Sequence, residues 1–175
     1  MRITRPELIR LAESFDDETK QYCLNDCIPN WDNKGLWGGA DPYVLQVDDN
    51  IVSVIFANIL NHSCTSSIIY IQRLFTPKQY RIQGHFTELL TQVYTTAFNF
   101  GCGYMQLFYK PDLHIYKKLN FMPLFTTSEG YEYCLQPLLC ADMKHNNQLV
   151  MMNKSYNFYN DSVTNYIEII KQKYA

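Results

Sequence analysis

Between two short apolar runs, residues 67–75 and Tyr104–Tyr109, the chain changes its period. Phe86, Leu89, Leu90, Val93, Tyr94 and Ala97 recur at the i, i+3, i+4, i+7 spacing of one helix face. The flanking runs are rich in Ile, Tyr and Phe and read as strands. A long helix joining two strands of one sheet is a crossover, right-handed when its strands are parallel neighbours. That arrangement places the chain in the mixed α/β class.

The remaining elements fit around this unit. Residues 6–15 carry Leu8, Ile9, Leu11 and Ala12 on one helical stripe, with Pro6 suited to a first turn. A second helix is expected over 17–27, opening on acidic residues that favour a helix N-terminus. Residues 28–42 hold both Trp31 and Trp37, together with Gly35, Gly38, Gly39 and Pro42, and read as a loop. Strands are expected at 43–47 and 51–59, with Asp48-Asp49-Asn50 as the hairpin turn between them. The long helix should end at Gly101-Cys102-Gly103, whose glycines suit a left-handed cap. After Tyr104–Tyr109 come a short helix at 112–119 capped by Asp112, strands at 121–125 and 131–135, and a strand at 148–152. A closing helix carries Val163, Tyr166, Ile167 and Ile170 on one face.

A chain of 175 residues fits a single domain over 1–175, with a core at about 43–135. Hydrophobic residues at 47% against 18% charged exclude a disordered chain. A formal net charge of -2 gives no positive field, so no nucleic-acid partner is expected. No stretch approaches the ~20 apolar residues of a membrane helix, and the first fifteen residues lack the apolar run of a signal peptide. A cytoplasmic protein is therefore expected. In a reducing compartment Cys23, Cys27, Cys64, Cys102, Cys134 and Cys140 read as free, mostly buried thiols. Cys23 and Cys27 with Cys134, Cys140 and His145 could together reach one zinc ion, but their spacings are not those of common zinc knuckles, and no metal is expected.

The informative junction is Tyr80-Arg81-Ile82-Gln83-Gly84-His85-Phe86-Thr87, which leads from the strand at 67–75 into the long helix. A tight turn into a helix start presents unpaired N–H groups with the helix dipole behind them, which suits phosphate. Gly84 permits close approach or a positive φ, and Arg81 adds charge. Alone, the segment is equally an ordinary strand-to-helix turn. Downstream lies Ile115-Tyr116-Lys117-Lys118-Leu119-Asn120-Phe121. Together the two segments resemble the GNAT superfamily of acyl-CoA N-acyltransferases. That family has an Arg/Gln-x-x-Gly-x-Gly/Ala loop before its central helix and a Leu-Tyr-x-Lys-x-Gly-Phe signature further on. The chain departs from these patterns at Phe86, where the family has a small residue, and at Asn120, where it has Gly. Asn is the residue other than Gly that best tolerates positive φ.

The resemblance, which spans roughly 43–135, implies a GNAT-like splayed mixed sheet with helices on both faces. It implies acetyl-CoA or another acyl-CoA as co-substrate and an amine acceptor, small molecule or protein, with a homodimer left open. The backbone of Leu74, Phe75 and Thr76 would pair with the pantetheine arm. Arg81 and the amides of Ile82, Gln83, Gly84, His85, Phe86 and Thr87 would hold the pyrophosphate. Tyr116 matches the tyrosine that protonates the leaving thiolate, a fitting task for a phenol with an ordinary pKa near ~10. The other reading of Tyr116 is a core tyrosine. Glu88, His62, His85 and His114 are candidate bases, none of them singled out. Trp31, Trp37 and Asp41 either line the acceptor pocket or anchor a surface loop. No Cys stands in a nucleophile context with His, so direct attack on the thioester is expected. Two rivals remain: an acyl-carrier-protein-dependent enzyme like the N-acyl amino acid and acyl-homoserine-lactone synthases, and a degenerate GNAT that only binds.

Overall fold

The computed structural model describes residues 3–31, 39–61 and 67–175. Trp37, His62 and Cys64 lie outside them. Six strands form one sheet: β1 (Asp41–Val47), β2 (Asn50–Leu60), β3 (Ile68–Phe75), β4 (Tyr104–Tyr109), β5 (Phe125–Thr126) and β6 (Glu132–Pro137), in the order β1-β2-β3-β4-β6-β5. The helices are α1 (Arg5–Ala12), α2 (Asp17–Tyr22), α3 (Ile28–Trp31), α4 (His85–Asn99), α5 (His114–Lys118), α6 (Met143–Met152) and α7 (Asp161–Tyr174). The fold is a mixed α/β sheet in which β1–β2, β4–β6 and β5–β6 pair antiparallel. Contacts divide the chain into two compact units, Met1–Asn58 with Ile71–Val93 and Ile59–Tyr70 with Tyr94–Ala175.

In the first unit the β1–β2 hairpin turns on two residues. Val47 pairs with Asn50, and Asp48 and Asp49 both take positive φ (47° and 62°). This is the geometry that matches the twist of the flanking strands, and Asp is among the residues that tolerate it. The apolar stripe of α1 is narrower than its sequence suggests: Leu8 and Ala12 are buried, whereas Ile9 is 40% exposed. The core of this unit gathers Leu8, Phe15, Cys23, Cys27, Ile28, Val44, Val54, Phe56 and Phe75. Residues 28–31, expected in a loop, form α3, continuing from a π-helical turn at Cys23–Cys27. Strand β1 begins at Asp41, ahead of the expected 43. The helix α4 buries Leu89, Leu90 and Val93, as the periodicity predicts, and leaves Phe86 half-buried.

In the second unit β6 pairs with β4 from Tyr104↔Pro137 to Tyr109↔Glu132. Gly101, at φ +80°, ends α4, and Cys102 N–H closes back on Ala97 O at 3.0 Å. Three expectations fail here. Residues 148–152 belong to α6, capped by Asp142, whose side chain accepts from His145 N–H (2.7 Å). That helix buries Met143, Asn146, Asn147 and Val150, a helical spacing with two polar members. Asn146 donates to Pro137 O and Asn147 to Leu119 O, both at 2.8 Å, so their burial costs no unmet hydrogen bond there. The strand expected at 121–125 shrinks to Phe125–Thr126, because Phe121 N–H is drawn back to Tyr116 O (3.0 Å) and Pro123 has no N–H for a ladder. Asp112 does not cap α5 through its side chain; the N-cap is Leu113, and Asp112 contributes its carbonyl to His114 N–H (2.9 Å). The closing helix α7 buries Val163, Tyr166 and Ile170 and half-buries Ile167.

Candidate active site

The phosphate-loop candidate lies wholly in the first unit. Strand β3 ends at Phe75, whose buried ring meets Phe15 (5.7 Å) and Tyr22 (6.1 Å) edge-on. Ser53 Oγ lies 3.1 Å from Thr76 Oγ1 and donates to Phe75 O at 3.4 Å, fixing the strand's last residues. A 3₁₀ turn at Lys78–Tyr80 follows, closed by Tyr80 N–H to Pro77 O at 2.9 Å. The chain then reverses through Ile82 (φ +66°) and Gly84 (φ +84°) into α4, whose carbonyl at Gly84 accepts from Glu88 N–H at 3.0 Å. The first N–H groups of any α-helix lack an intrahelical acceptor, and the dipole adds partial positive charge there. Among the described residues, a Cβ built on Gly84 meets none within 4 Å beyond its chain neighbours, so the ground in front of the turn is open. This combination suits an anion.

Ile82 is the surprise of this turn. It is a β-branched residue in the left-handed region and is fully exposed, so no packing compensates its conformational cost. Arg81 is exposed and donates its Nε–H to Thr76 O (2.9 Å), in the backbone stretch that the family resemblance assigns to pantetheine. Its guanidinium therefore braces the loop. Gln83 donates to Gln79 O (3.0 Å), and the half-buried His85 ring lies 3.2 Å from Gln83 Oε1.

One residue that sequence reasoning passed over holds the turn. Asp16, the N-cap of α2, accepts from Thr19 N–H (3.1 Å), Thr19 Oγ1–H (2.7 Å) and Lys78 N–H (2.7 Å). Burial pushes its carboxyl up, but the bonds from Lys78 and Thr19 outweigh this and hold it down at about 2. An Asp before a helix is a readable cap signal; its reach to Lys78, 62 residues on, is not.

The second centre lies wholly in the other unit. Tyr116, on α5, is 2% exposed, and its ring stacks on Tyr109 at 4.6 Å and meets Phe121 edge-on at 6.0 Å. Asn120 takes φ +59°, the conformation that makes Asn a workable replacement for Gly. Its turn brings Phe121 back over the helix. Tyr109 is also buried, and burial, then Cys134 and Glu132, push its hydroxyl's pKa up. Both rings are thus buried against aromatic neighbours.

Leu74, Phe75, Thr76, Arg81, Ile82, Gln83, Gly84, His85, Phe86 and Thr87 all fall within residues 74–87 of the first unit. Leu74, Thr76, His85, Phe86 and Thr87 are half-buried within it. Among the candidate bases Glu88 and His114 are exposed, and His62 lies outside the described residues. Trp31 packs edge-on against Phe56 at 5.8 Å, and Asp41 is exposed at the head of β1. Cys23, Cys27, Cys102 and Cys134 are buried free thiols, with Cys23, Cys27 and Cys134 pushed up to about 12 by burial. Among the described residues no group of three His, Cys, Asp or Glu is placed to hold a metal, and no helix is long and apolar enough to cross a membrane.

The sequence profile of the Acetyltransferase (GNAT) family matches residues 6–121. No curated protein matches the chain in sequence. Among solved structures, AtaTR bound with AcCoA is similar at 14% identity and TM-score 0.57, covering 86% of this chain and 96% of that one. A GNAT-family acetyltransferase from Staphylococcus aureus MU50 follows at 17% identity and TM-score 0.51, with 79% and 97% covered. The ribosomal-protein-S18-alanine N-acetyltransferase from Escherichia coli stands at 12% identity and TM-score 0.52, with 79% and 92% covered. At these identities the likeness concerns the fold.

Proposed function

Because the chain belongs to the GNAT acetyltransferase family, and is a transferase acting by acyl transfer, we propose that it moves an acetyl group from acetyl-CoA to an amine by direct attack. Residues 1–175 act in this reading as one catalytic domain, a view supported by a family match that runs through both compact units.

The observation that carries the reading is the turn at 81–84, where two positive-φ residues lead straight into α4 with open space before Gly84. In the proposed roles, the amides of Ile82 to Thr87 hold the pyrophosphate, and the backbone at Leu74 to Thr76 pairs with pantetheine. Arg81 acts chiefly by bracing Thr76 O. The amine nitrogen attacks the thioester carbonyl, the C–S bond breaks, and the departing sulfur takes the proton of the Tyr116 hydroxyl. The amine's surplus proton returns through water to the Tyr116 phenolate, and the products are the N-acetyl amine and CoA. The AtaTR structure, a fold neighbour bound with AcCoA, supports this choice of donor.

Melting the protein with and without acetyl-CoA tests the reading. Binding to the native state alone stabilises it by about 2.7 kcal/mol at a hundredfold excess over Kd, which for a chain of this size is a rise of several degrees. An unchanged melting temperature at millimolar acetyl-CoA, with a shift on adding acylated carrier protein, would transfer the role of donor to the carrier.

A further inference from the structure

Five tyrosine hydroxyls of the second unit donate to acceptors within it. Tyr94 donates to Cys140 O, Tyr104 to Phe158 O and Tyr159 to Leu135 O, each at 2.9 Å. Tyr133 and Tyr166 both donate to Gln106 Oε1, at 3.1 and 2.5 Å. Tyr109 breaks the pattern. It is 2% exposed, and its hydroxyl has no partner among the described residues. Leaving a buried donor unmet costs free energy that a Phe would not incur. Tyr109 is the last residue of β4, and its ring lies against that of Tyr116. The orphaned donor thus adjoins the phenol assigned to thiolate protonation.

The surroundings select the missing acceptor. Tyr116 stacks on one face, Phe121 packs behind that ring, and burial keeps the Tyr109 phenol protonated. A buried setting that feels the Glu132 carboxylate disfavours a phosphate, whose charge would go unsolvated and meet like charge, and suits a neutral carbonyl oxygen. Acyl-CoA carries such an oxygen at its reacting end, the thioester.

We propose that substrate completes this bond: the Tyr109 hydroxyl donates to the carbonyl oxygen of the acyl-CoA thioester. The residue then distinguishes the acylated cofactor from free CoA. As the amine adds, negative charge grows on that oxygen and the bond strengthens, so the contact favours the transition state as well. The inference rests on the acyl-CoA reading above.

Calorimetric titration of acetyl-CoA and of CoA into wild-type protein and Tyr109→Phe, with melting of both free proteins, tests it. Tyr109→Phe should melt no lower than wild type, since no bond is lost in the free protein. It should bind acetyl-CoA roughly two- to tenfold more weakly, the range of one net hydrogen bond, and bind CoA unchanged. Equal acetyl-CoA affinity in the two proteins overturns the proposal. So does an equal loss for CoA, which would assign the hydroxyl to a pantetheine carbonyl. A melting temperature several degrees lower overturns it as well, by making the hydroxyl part of the free protein's own network. Wild-type protein that binds neither ligand removes the acyl-CoA reading itself, and this inference with it.

Discussion

Arg81, Ile82, Gln83 and Gly84 are all exposed, whereas Tyr109, Tyr116 and Phe121 are only 2, 2 and 3% exposed. The two regions differ as the tasks proposed for them would require. A phosphate arrives hydrated and is held by backbone N–H groups, which any residue supplies; what the loop must specify is φ. Proton delivery to a thiolate depends on a particular hydroxyl held in a particular place, so the aromatic centre specifies side-chain shape. Substitutions in the first region should therefore act through backbone conformation, and in the second through single atoms.

The largest expected effect falls in the aromatic centre. Tyr116→Phe keeps the ring between Tyr109 and Phe121 and removes the proton assigned to the leaving thiolate. Its kcat should fall by ~10²-fold or more while acetyl-CoA affinity stays near wild type. Stopped-flow turnover with an amine acceptor would decide this. Activity that merely tracks a reduced folded fraction would make Tyr116 a core tyrosine.

A smaller effect is expected where the loop is anchored. Asp16→Ala removes the N-cap of α2 together with the bond to Lys78 N–H. A lost cap costs about 1 kcal/mol, or roughly 2–4 °C in a domain of this size. The Asp16 carboxyl is held at about 2, below its ordinary value of 3.8. Its contribution is therefore fully present above pH 3.8 and is lost as the pH falls through about 2. Wild type and Asp16→Ala should differ in melting temperature at neutral pH and converge in acid. A gap that persists at pH 2 would mean the carboxylate is not the source.

The smallest effect has the opposite sign. Ile82→Asn replaces a strained β-branched residue with one that tolerates φ +66°, and loses no packing because the side chain is fully exposed. A gain of a few tenths to about 1 kcal/mol is expected, read as a higher melting temperature. A lower melting temperature would show that Ile82 makes contacts the loop needs.

Those two loop positions also mark how far the sequence could be read. Gly84 and Asn120 announce their backbone conformations, because few other residues take positive φ cheaply; Asp48-Asp49 announces the hairpin for the same reason. Helix α4 is legible because its buried face is apolar throughout. Ile82 is not legible, since its residue type argues against the φ it adopts. Helix α6 is misread as a strand because Asn146 and Asn147 occupy its buried face, and only the bonds to Pro137 O and Leu119 O explain their presence there. Tyr109 is invisible for a different reason. In sequence it is an ordinary strand residue, and the missing partner of its hydroxyl appears only once its neighbours are in place.

The claim on which the account rests is that the turn before α4 holds the donor, and Gly84→Asp tests it most directly. Among the described residues, none beyond its chain neighbours lies within 4 Å of a Cβ at Gly84, so the variant's side chain would point into the space assigned to pyrophosphate. Its carboxylate would repel that anion, and its backbone would be strained at φ +84°. Calorimetric titration with acetyl-CoA, on protein shown by circular dichroism to be folded, should give saturable binding for wild type and none detectable for Gly84→Asp. Wild-type affinity in a folded Gly84→Asp protein would contradict the account, and the donor would have to be sought elsewhere in the chain.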